Sequence, residues 1–296
     1  FGKVLQESYV PLNRPMPVAI AVGADLSSHL AATSTYQLGR DEAALAGGLA
    51  GRPVEVIRCQ TNDLFVPATA ELVIEGEALP DRIAQEGPYG EYPGYRSGEM
   101  GRGVLFRATA ITHRKDPILT MDCTGLKDCS SIVTALGGGI AIRRTLERHG
   151  VPVTAVYVPP EGATHIAVVA VKKGGPAVAK EVLNALTARR VYLSKIIVVD
   201  EDIDVFNMSQ VFHALATKCH PGRGIQLTTY EGRAQTLTPY YSKEERARRA
   251  GATAVFDATW PPELPKDETP VSTTFEGTYP KELKDRVLAN WKAYGF

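Results

Sequence analysis

The sequence predicts a mixed α/β (α+β) protein, in which a β-rich amino-terminal region is followed by an α/β carboxy-terminal region. Three observations carry this prediction. Short β-type runs follow one another up to about residue 123, which is typical of a barrel or sandwich. One helical pattern then occupies residues 130–150. Beyond it, strand and helix patterns alternate, which indicates strands and helices packed in layers.

The composition is that of an ordinary folded protein, with 44% hydrophobic and 22% charged residues among 296, and this argues against extended disorder. Lys plus Arg and Asp plus Glu number 33 each, so no overall positive charge favours nucleic acid. No apolar run approaches the roughly 20 residues of a membrane span. The four cysteines lack zinc spacing, which fits a reducing compartment. We therefore expect a cytoplasmic protein without nucleic-acid or membrane partners.

In the first region, residues 16–23 form an apolar run bounded by Pro and Gly, which suits a buried strand. A helix is expected to begin at Asp41, because acids occupy its first turn, and to end at Gly47. The other strand patterns of this region cover residues 54–59, 70–76, 103–112 and 117–121.

The helix at 130–150 contains the glycine triplet 137–139. We attribute the triplet to close helix packing or a bend, because the Lys-Ser/Thr ending of a phosphate-binding loop is missing. Helices are also expected to begin at Pro176 and Met208. The strand patterns of the second region cover residues 153–158, 165–171 and 195–200.

After about residue 230 we expect irregular chain, apart from two helices. Ser242 and Glu245 can form a capping box for a short helix that Gly251 closes. The second is an amphipathic helix at 281–294. Residues 261–280, rich in Pro and Thr, are expected to run over the surface or reach a neighbouring subunit.

These patterns divide the chain into a β-rich domain (1–129), a linker helix (130–150) and an α/β domain with an extended tail (151–296). Because such a tail suits exchange between subunits, we expect the α/β domain to mediate a homo-oligomer, a dimer or a hexamer.

The most informative stretch is the string EGPYGEYPGY at residues 86–95. So much Gly and Pro is incompatible with helix or strand, so the string predicts an ordered loop. Two carboxylates, Glu86 and Glu91, in aromatic, partly dry surroundings are a candidate acid/base pair. On spacing alone, an acidic surface turn with tyrosines that serve as ordinary packing explains the residues equally well.

Two other features favour structural roles. The acids at 200–204 lack the Gly and the distal Glu of an EF-hand, so we expect them to be solvated or to cap the next helix. His165 lies within an apolar strand pattern and is interpreted as a structural histidine.

The loop string closely resembles the signature of the UbiD family of prenylated-flavin-dependent reversible decarboxylases, which reads E-G-P-[FY]-G-[ED]-x-x-G-Y. The resemblance extends over most of the chain. It implies a split-barrel flavin-binding domain followed by the α/β domain, and the decarboxylation of an aromatic or α,β-unsaturated acid with prenylated FMN. A small carboxylic acid is the expected partner. Further matching strings lie at residues 17–25, 157–162, 199–204 and 257–259.

The resemblance also implies roles for individual residues. Glu91 is expected to protonate the carbon that loses CO₂, and Glu86 to hold an active-site arginine and set the proton affinity of Glu91. Glu42, before the Ala-Gly-Gly-Leu string at 46–49, is expected to bind Mn²⁺ or Mg²⁺ that bridges to a flavin phosphate. Lys195 is expected to pair with the cofactor phosphate.

By position rather than by motif, the backbone of Ala31, Ala32 and Ser34 is expected to hold K⁺. The family's metal-binding Asn and His and its active-site Arg should precede Phe1 and cannot be matched, so we expect a fragment or a separate polypeptide for that part. Two alternatives stay open. One is a non-catalytic UbiD-like subunit that scaffolds a multi-subunit carboxylase, and the other is a retaining glycosidase, which fits the acids but not the surrounding strings.

Overall fold

The computed structural model describes the chain except for short gaps, and it gives residues 101–102 and 129–134 as backbone alone. The described residues are 2–33, 39, 41–96, 101–121, 129–188, 193–234, 237–265 and 267–295. Within them, no helix combines the length and apolar character needed to cross a membrane.

The first region contains short helices and antiparallel strands. Its elements are α1 (Gly2–Val4), β1 (Met16–Val22), α2 (Leu26–Thr33), α3 (Glu42–Ala50), β2 (Val56–Arg58), β3 (Phe65–Pro67), β4 (Leu72–Glu86) and β5 (Gly101–His113). In the described chain, β1, β4 and β5 form a sheet in that order, and β2 pairs with β3 in a separate hairpin. The β-rich character is confirmed, while closure of these strands into a split barrel stays a prediction.

Two boundaries differ from the sequence prediction in this region. α3 begins after its cap Asp41 as expected but runs on to Ala50, because Gly51, with φ 67°, supplies the left-handed residue that ends it. The apolar run at 117–121 forms no strand, and Ile118, Leu119 and Met121 are exposed. Apolar composition alone does not provide a neighbouring strand with which to pair.

β4 determines where the candidate site lies. It pairs with β5 along its whole length, from Leu72 opposite His113 to Glu86 opposite Gly101. The register shifts once between Glu75 and Gly76 and again between Leu79 and Ile83. Such bulges bend and twist a strand, and β4 then delivers Glu86 directly to the signature loop.

The second region is a layered α/β structure. Its elements are α4 (Cys129–Arg148), β6 (Val153–Tyr157), β7 (Ile166–Val171), α5 (Pro176–Thr187), β8 (Lys195–Asp200), α6 (Met208–Lys218), β9 (Ile225–Tyr230), α7 (Lys243–Arg248), β10 (Gly251–Ala258), α8 (Phe275–Thr278) and α9 (Lys281–Ala289). The sheet order is β6-β7-β8-β10-β9. β8 is parallel to both β7 and β10, while β6 and β9 pair antiparallel at the two sides.

The sheet is apolar on both faces, as buried parallel strands are. Side chains such as Val169 and Val198 pack with α4 and α5 on one face, and Val168 and Val199 pack with α6 on the other. The glycine triplet lies inside α4, which continues through it to Arg148. A Cβ added to Gly139 would lie 3.6 Å from the carbonyl oxygen of Val156, an ordinary contact distance, and one added to Gly137 would have nothing within 4 Å. Close packing therefore does not explain the glycine at position 137.

The prediction of irregular chain after residue 230 is wrong for β10, which lies between β8 and β9. Gly251 does not close α7, because Arg249 takes the left-handed conformation at the helix end and Gly251 begins β10. The capping box of Ser242 and Glu245 is present. The last helix ends at Ala289, and a separate 3-10 turn covers Trp291–Tyr294.

Candidate active site

The signature loop is a closed, hydrogen-bonded turn that follows β4. Gly87, with φ 83°, starts it in a conformation that only glycine adopts readily. The Glu91 amide donates to the Tyr95 carbonyl at 3.0 Å, and the Gly94 amide donates to the Glu91 carbonyl at 2.8 Å. An isolated bridge between Gly90 and Arg96 closes the turn. The ordered loop predicted from the sequence is therefore confirmed.

Tyr89 lies between the two acids of this loop. The charge of Glu91, then partial burial and the charge of Glu86, raise the pKa of Tyr89 above its ordinary value. The charges of both predicted acids therefore act on the same hydroxyl.

The two carboxylates differ in exposure. Glu86 is exposed at the end of β4, with its side chain over Gly103 of β5, whereas Glu91 is half-buried. The expectation of partly dry surroundings for both acids is therefore wrong for Glu86. Its position at a strand end leaves it in contact with water, while the folding of the turn over itself covers Glu91 in part.

The loop reaches the second region through an aromatic contact. The ring of Tyr92 lies 6.0 Å from that of His165, measured between centroids. The carbonyl oxygen of His165 accepts the amide protons of Ser194 at 2.9 Å and Lys195 at 3.1 Å. His165 therefore connects the signature loop to the start of β8, where Lys195, the predicted phosphate-pairing lysine, lies.

Lys195 is exposed, and its ammonium group lies beside polar and aromatic groups. Its Nζ donates to the Ser194 hydroxyl at 3.4 Å and lies 5.6 Å from the centre of the Tyr240 ring. In the described chain no carboxylate forms an ion pair with this ammonium. Such a cation can pair with a phosphate group, so the surroundings fit the role that the resemblance implies for Lys195.

Glu42 lies on a different element from these residues. It is the first residue of α3 and is exposed. Within the described residues, no three His, Cys, Asp or Glu side chains are grouped so that they could hold a metal ion. Because Mn²⁺ and Mg²⁺ favour several oxygen ligands, this part of the chain does not by itself make the predicted metal site.

The predicted potassium ligands fall partly outside the described residues. Ala31 and Ala32 lie in the last turn of α2, the part of a helix whose carbonyl oxygens can turn towards a ligand. Ser34 lies outside the described residues. The potassium site stays a prediction.

Asp200, the first of the acids at 200–204, and Cys219 take structural roles. Asp200 pairs with the buried ammonium of Lys218 at 2.7 Å and accepts the amide proton of Trp260 at 3.1 Å. Burial, followed by the charge of Asp257, raises the pKa of the Cys219 thiol, which donates to the Gly224 carbonyl. A protonated, hydrogen-bonded thiol is not a nucleophile.

The sequence analysis missed the part that Tyr89 plays. It treated the tyrosines as aromatic surroundings, although the family signature admits Phe or Tyr at this position and only Tyr carries a hydroxyl. An E-x-x-Y-x-E spacing across a turn was the available signal. What it could not supply was the fold of the turn, which lets the charges of both acids act on the Tyr89 hydroxyl.

Comparison with known proteins agrees with this architecture. Two profiles of the UbiD family, described as the 3-octaprenyl-4-hydroxybenzoate carboxy-lyase Rift-related domain and C-terminal domain, match residues 2–127 and 132–258. Pyrrole-2-carboxylic acid decarboxylase of Pseudomonas aeruginosa is 34% identical over 306 residues, which cover 99% of this chain and 61% of that protein.

Solved structures give the same result. The UbiD-class enzyme HmfF from Pelotomaculum thermopropionicum, in complex with FMN, matches with a TM-score of 0.80 at 29% identity, over 98% of this chain and 61% of that one. Vanillic acid decarboxylase of Sedimentibacter hydroxybenzoicus, in open form, matches with a TM-score of 0.75 at 27% identity, over 98% and 62%. This chain thus spans less than two thirds of its relatives' length. Since the fold, the signature loop and both family profiles agree, the chain belongs to the UbiD family of carboxy-lyases.

Proposed function

We propose that this chain is the greater part of a prenylated-FMN-dependent carboxy-lyase. It would remove CO₂ from an aromatic or α,β-unsaturated carboxylic acid, or catalyse the reverse carboxylation. The observation that carries the proposal is the closed signature loop, which follows Glu86 at the end of β4 and holds Glu91 half-buried in its turn. Relatives named for pyrrole-2-carboxylic and vanillic acids favour an aromatic acid as substrate.

Lys195 and the signature loop would bind the cofactor from two sides. The Lys195 ammonium would pair with the cofactor phosphate. The signature loop, which is connected to the start of β8 through His165, would face the reacting part of the cofactor. When bound, prenylated FMN supplies an electron sink for the carbon that loses CO₂, a chemistry that side chains lack. Relatives solved with FMN and with prenylated FMN support this assignment.

The contribution of the protein is orientation and one proton. Glu91, half-buried in the turn, would donate a proton to the carbon that CO₂ leaves. Glu86 would hold the family's active-site arginine and help to set the proton affinity of Glu91. The Tyr92 ring against His165 would keep water from one side of the turn.

No step of this mechanism is assigned to a metal ion. Glu42 remains our proposed ligand for Mn²⁺ or Mg²⁺, and Ala31, Ala32 and Ser34 our proposed ligands for K⁺. The other ligands of the divalent ion would have to come from outside the described residues, which contain no three-ligand group.

That same observation favours a second candidate function, a non-catalytic UbiD-like subunit within a multi-subunit carboxylase. A chain whose described residues present one candidate metal ligand would depend on a partner for a complete site. The two candidates differ in one result. The carboxy-lyase turns over an acid when loaded with prenylated FMN and Mn²⁺, whereas the scaffold does so only after its partner is added.

The first test compares Glu91→Gln with Glu77→Gln in protein produced with prenylated FMN. Glu77 lies on β4, where it pairs with Arg107 on the surface. Loss of a positioned acid typically lowers turnover about 10²–10⁴-fold, so we expect that loss for Glu91→Gln with the flavin absorbance retained. The Glu77 variant should match the wild type. Wild-type turnover in Glu91→Gln would remove Glu91 from this role.

The second test concerns the metal. Glu42→Ala should lose bound Mn²⁺ and flavin together, because the ion is proposed to bridge the protein to the cofactor phosphate. Metal content by plasma mass spectrometry and flavin absorbance measure the two losses. Full retention of both in Glu42→Ala would contradict this role.

A further inference from the structure

We propose that Tyr240 is a positioning residue that holds the Lys195 ammonium in place for the phosphate group of FMN. The inference rests on the proposed function, in which Lys195 pairs with that phosphate. It extends the cofactor site to the segment between β9 and α7, to which the sequence analysis gave no role in binding.

Two contacts define where the Lys195 ammonium lies. Its Nζ donates to the Ser194 hydroxyl at 3.4 Å. It also lies over the Tyr240 ring, 5.6 Å from the ring centre, within the roughly 6 Å over which the face of an aromatic ring attracts a cation. An ammonium has three N–H donors and one of them is directed at Ser194, so donors remain for phosphate oxygens. The ring of Tyr240 can therefore hold the charge in place while the ammonium binds a phosphate.

The backbone at the start of β8 is itself fixed. The Ser194 hydroxyl donates to the carbonyl oxygen of His165 at 3.3 Å, and the same oxygen accepts the amide protons of Ser194 and Lys195. The amide of Ala254 on β10 donates to the Ser194 carbonyl at 3.0 Å. The Lys195 side chain thus starts from a fixed point, and its flexible four-carbon stem is the part that a further contact has to restrain.

Tyr240 is supported in turn by a buried neighbour. Its ring packs against that of Tyr241 with centroids 4.8 Å apart and planes at 72°, a favourable geometry for an aromatic pair. Tyr241 is 9% exposed, and its oxygen accepts the amide proton of Ala252 at 3.3 Å. A Cβ added to Gly251 would lie 2.3 Å from that oxygen, so the glycine at the start of β10 makes room for Tyr241. The ring that faces Lys195 therefore rests on a side chain held against β10.

An ammonium that is already restrained pairs with a phosphate at a lower entropic cost. A lysine loses rotamer freedom when it binds an anion, and it loses less when another contact already limits that freedom. A cation–π contact at an exposed site changes an equilibrium constant by about two- to fivefold. Because Tyr240 acts through Lys195, this gain should apply to FMN, which has a phosphate, and should be absent for riboflavin, which has none.

The test measures the binding of FMN and of riboflavin to the cofactor-free chain, by the quenching of flavin fluorescence. We expect the wild type to prefer FMN, and Tyr240→Leu to bind FMN about two- to fivefold more weakly with riboflavin binding unchanged. Tyr240→Phe keeps the ring and should retain the wild-type preference. Phe206→Leu is the control, because it also removes an exposed ring that packs on another aromatic side chain, here Tyr157 at 5.0 Å between centroids. Phe206 lies beyond the other end of β8, so this variant should bind both flavins as the wild type does.

A double-mutant cycle separates positioning of Lys195 from a merely structural role. Lys195→Met should lose the preference for FMN, and the further change Tyr240→Leu should then have no additional effect. Three results would overturn the positioning role. They are unchanged FMN binding in Tyr240→Leu, an equal loss of FMN and riboflavin binding, and a loss of FMN binding that persists in the Lys195→Met background.

Flavin binding and turnover let the positioning role and the proposed function fail separately. A preference for FMN that depends on Tyr240 and Lys195, in a protein that decarboxylates no acid, would support the positioning role and reject the proposed function. Turnover of an aromatic acid by a wild type whose Tyr240→Leu variant binds FMN equally well would do the reverse. A wild type that binds FMN no better than riboflavin would overturn the positioning role whatever its turnover.

Discussion

Glu75 is a buried carboxylate, 1% exposed, that anchors the β2–β3 hairpin to β4. It accepts the amide protons of Gln60 at 2.7 Å and Thr61 at 2.6 Å, and the Thr61 hydroxyl proton at 2.7 Å. Burial alone would raise its pKa, but these hydrogen bonds together outweigh burial and lower the pKa. Glu75 is therefore ionised in the folded protein, and it positions the strand that carries Glu86.

Glu75→Gln should destabilise the fold by about 2–3 kcal/mol, because hydrogen bonds to a charged group contribute about 1.5–3 kcal/mol and their donors stay buried. Glu77→Gln is the matched control, two residues along β4. Its pair with Arg107 is partly exposed, so that variant should change stability by less than about 1 kcal/mol. Urea denaturation measures both. Equal midpoints for the two variants would contradict the anchoring role.

The same carboxylate predicts a pH dependence. The folded-state pKa of Glu75 lies below its ordinary 4.5, so its contribution is present above pH 4.5 and is lost as the pH falls through the folded-state pKa. Asp25 acts in the same sense, since hydrogen bonds from Ser27 and Ser28 lower its pKa. The difference in the free energy of unfolding between wild type and Glu75→Gln isolates the contribution of Glu75 to the pH dependence. That difference should shrink on acidification below pH 4.5, and a constant difference would contradict the assignment.

At the scale of elements, the bulge at Gly76 gives β4 its course towards the loop. A Cβ added to Gly76 would lie 2.2 Å from the Arg107 carbonyl oxygen and 2.7 Å from Cζ of Phe106. A side chain at position 76 would clash with the backbone of β5 and with the end of the Phe106 ring unless the β4–β5 strand pair shifted. The direction in which β4 delivers Glu86 thus depends on this glycine.

Gly76→Ala should therefore cost at least about 2 kcal/mol, in the range of steric overpacking. Gly48→Ala is the control, because Gly48 lies in α3 with nothing within 4 Å of an added Cβ. There, alanine should stabilise by up to about 1 kcal/mol. Thermal unfolding measures the direction of the stability change in each variant. A Gly76→Ala variant as stable as Gly48→Ala would contradict the proposed steric role of Gly76.

Strong local signals made several elements predictable. Each of three elements is determined by residues close together in the sequence. They are the helix after the capping box at Ser242, the helix that begins at Pro176 and the apolar strand β8. β10 could not be found in this way, because its Gly-Ala-Thr-Ala-Val-Phe-Asp-Ala sequence becomes a buried strand only through β8 and β9 on its two sides.

For the site, the string at 86–95 predicted the loop and its two acids. The approach of Tyr92 to His165 depends on how distant segments fold together. Spacing along the chain does not contain that information. Glu42 shows the same limit, since its neighbours in space are not given by its place before the string at 46–49.

At the scale of the whole molecule, the carboxy-terminal tail presents large apolar side chains at its surface. Leu288 and Trp291 are 57% and 47% exposed. We propose that a second copy of the chain covers this tail, as expected for a homo-oligomer.

Sedimentation velocity tests this proposal. The wild type should have a mass that is a multiple of 32.0 kDa, and Leu288→Glu should shift it towards the monomer, because a charge would have to be buried in the interface. Leu12→Glu alters a leucine near the other end of the chain that is 63% exposed, and it should leave the mass unchanged. A wild type that stays monomeric at high concentration would contradict the proposal.

The central claim is that the signature loop donates a proton to the carbon that CO₂ leaves. Decarboxylation of an aromatic acid by flavin-loaded protein in D₂O, followed by NMR of the product, tests it most directly. We predict one deuteron at the vacated carbon for the wild type and almost no labelled product for Glu91→Gln with its flavin still bound. Labelled product formed by Glu91→Gln at the wild-type rate would contradict the account.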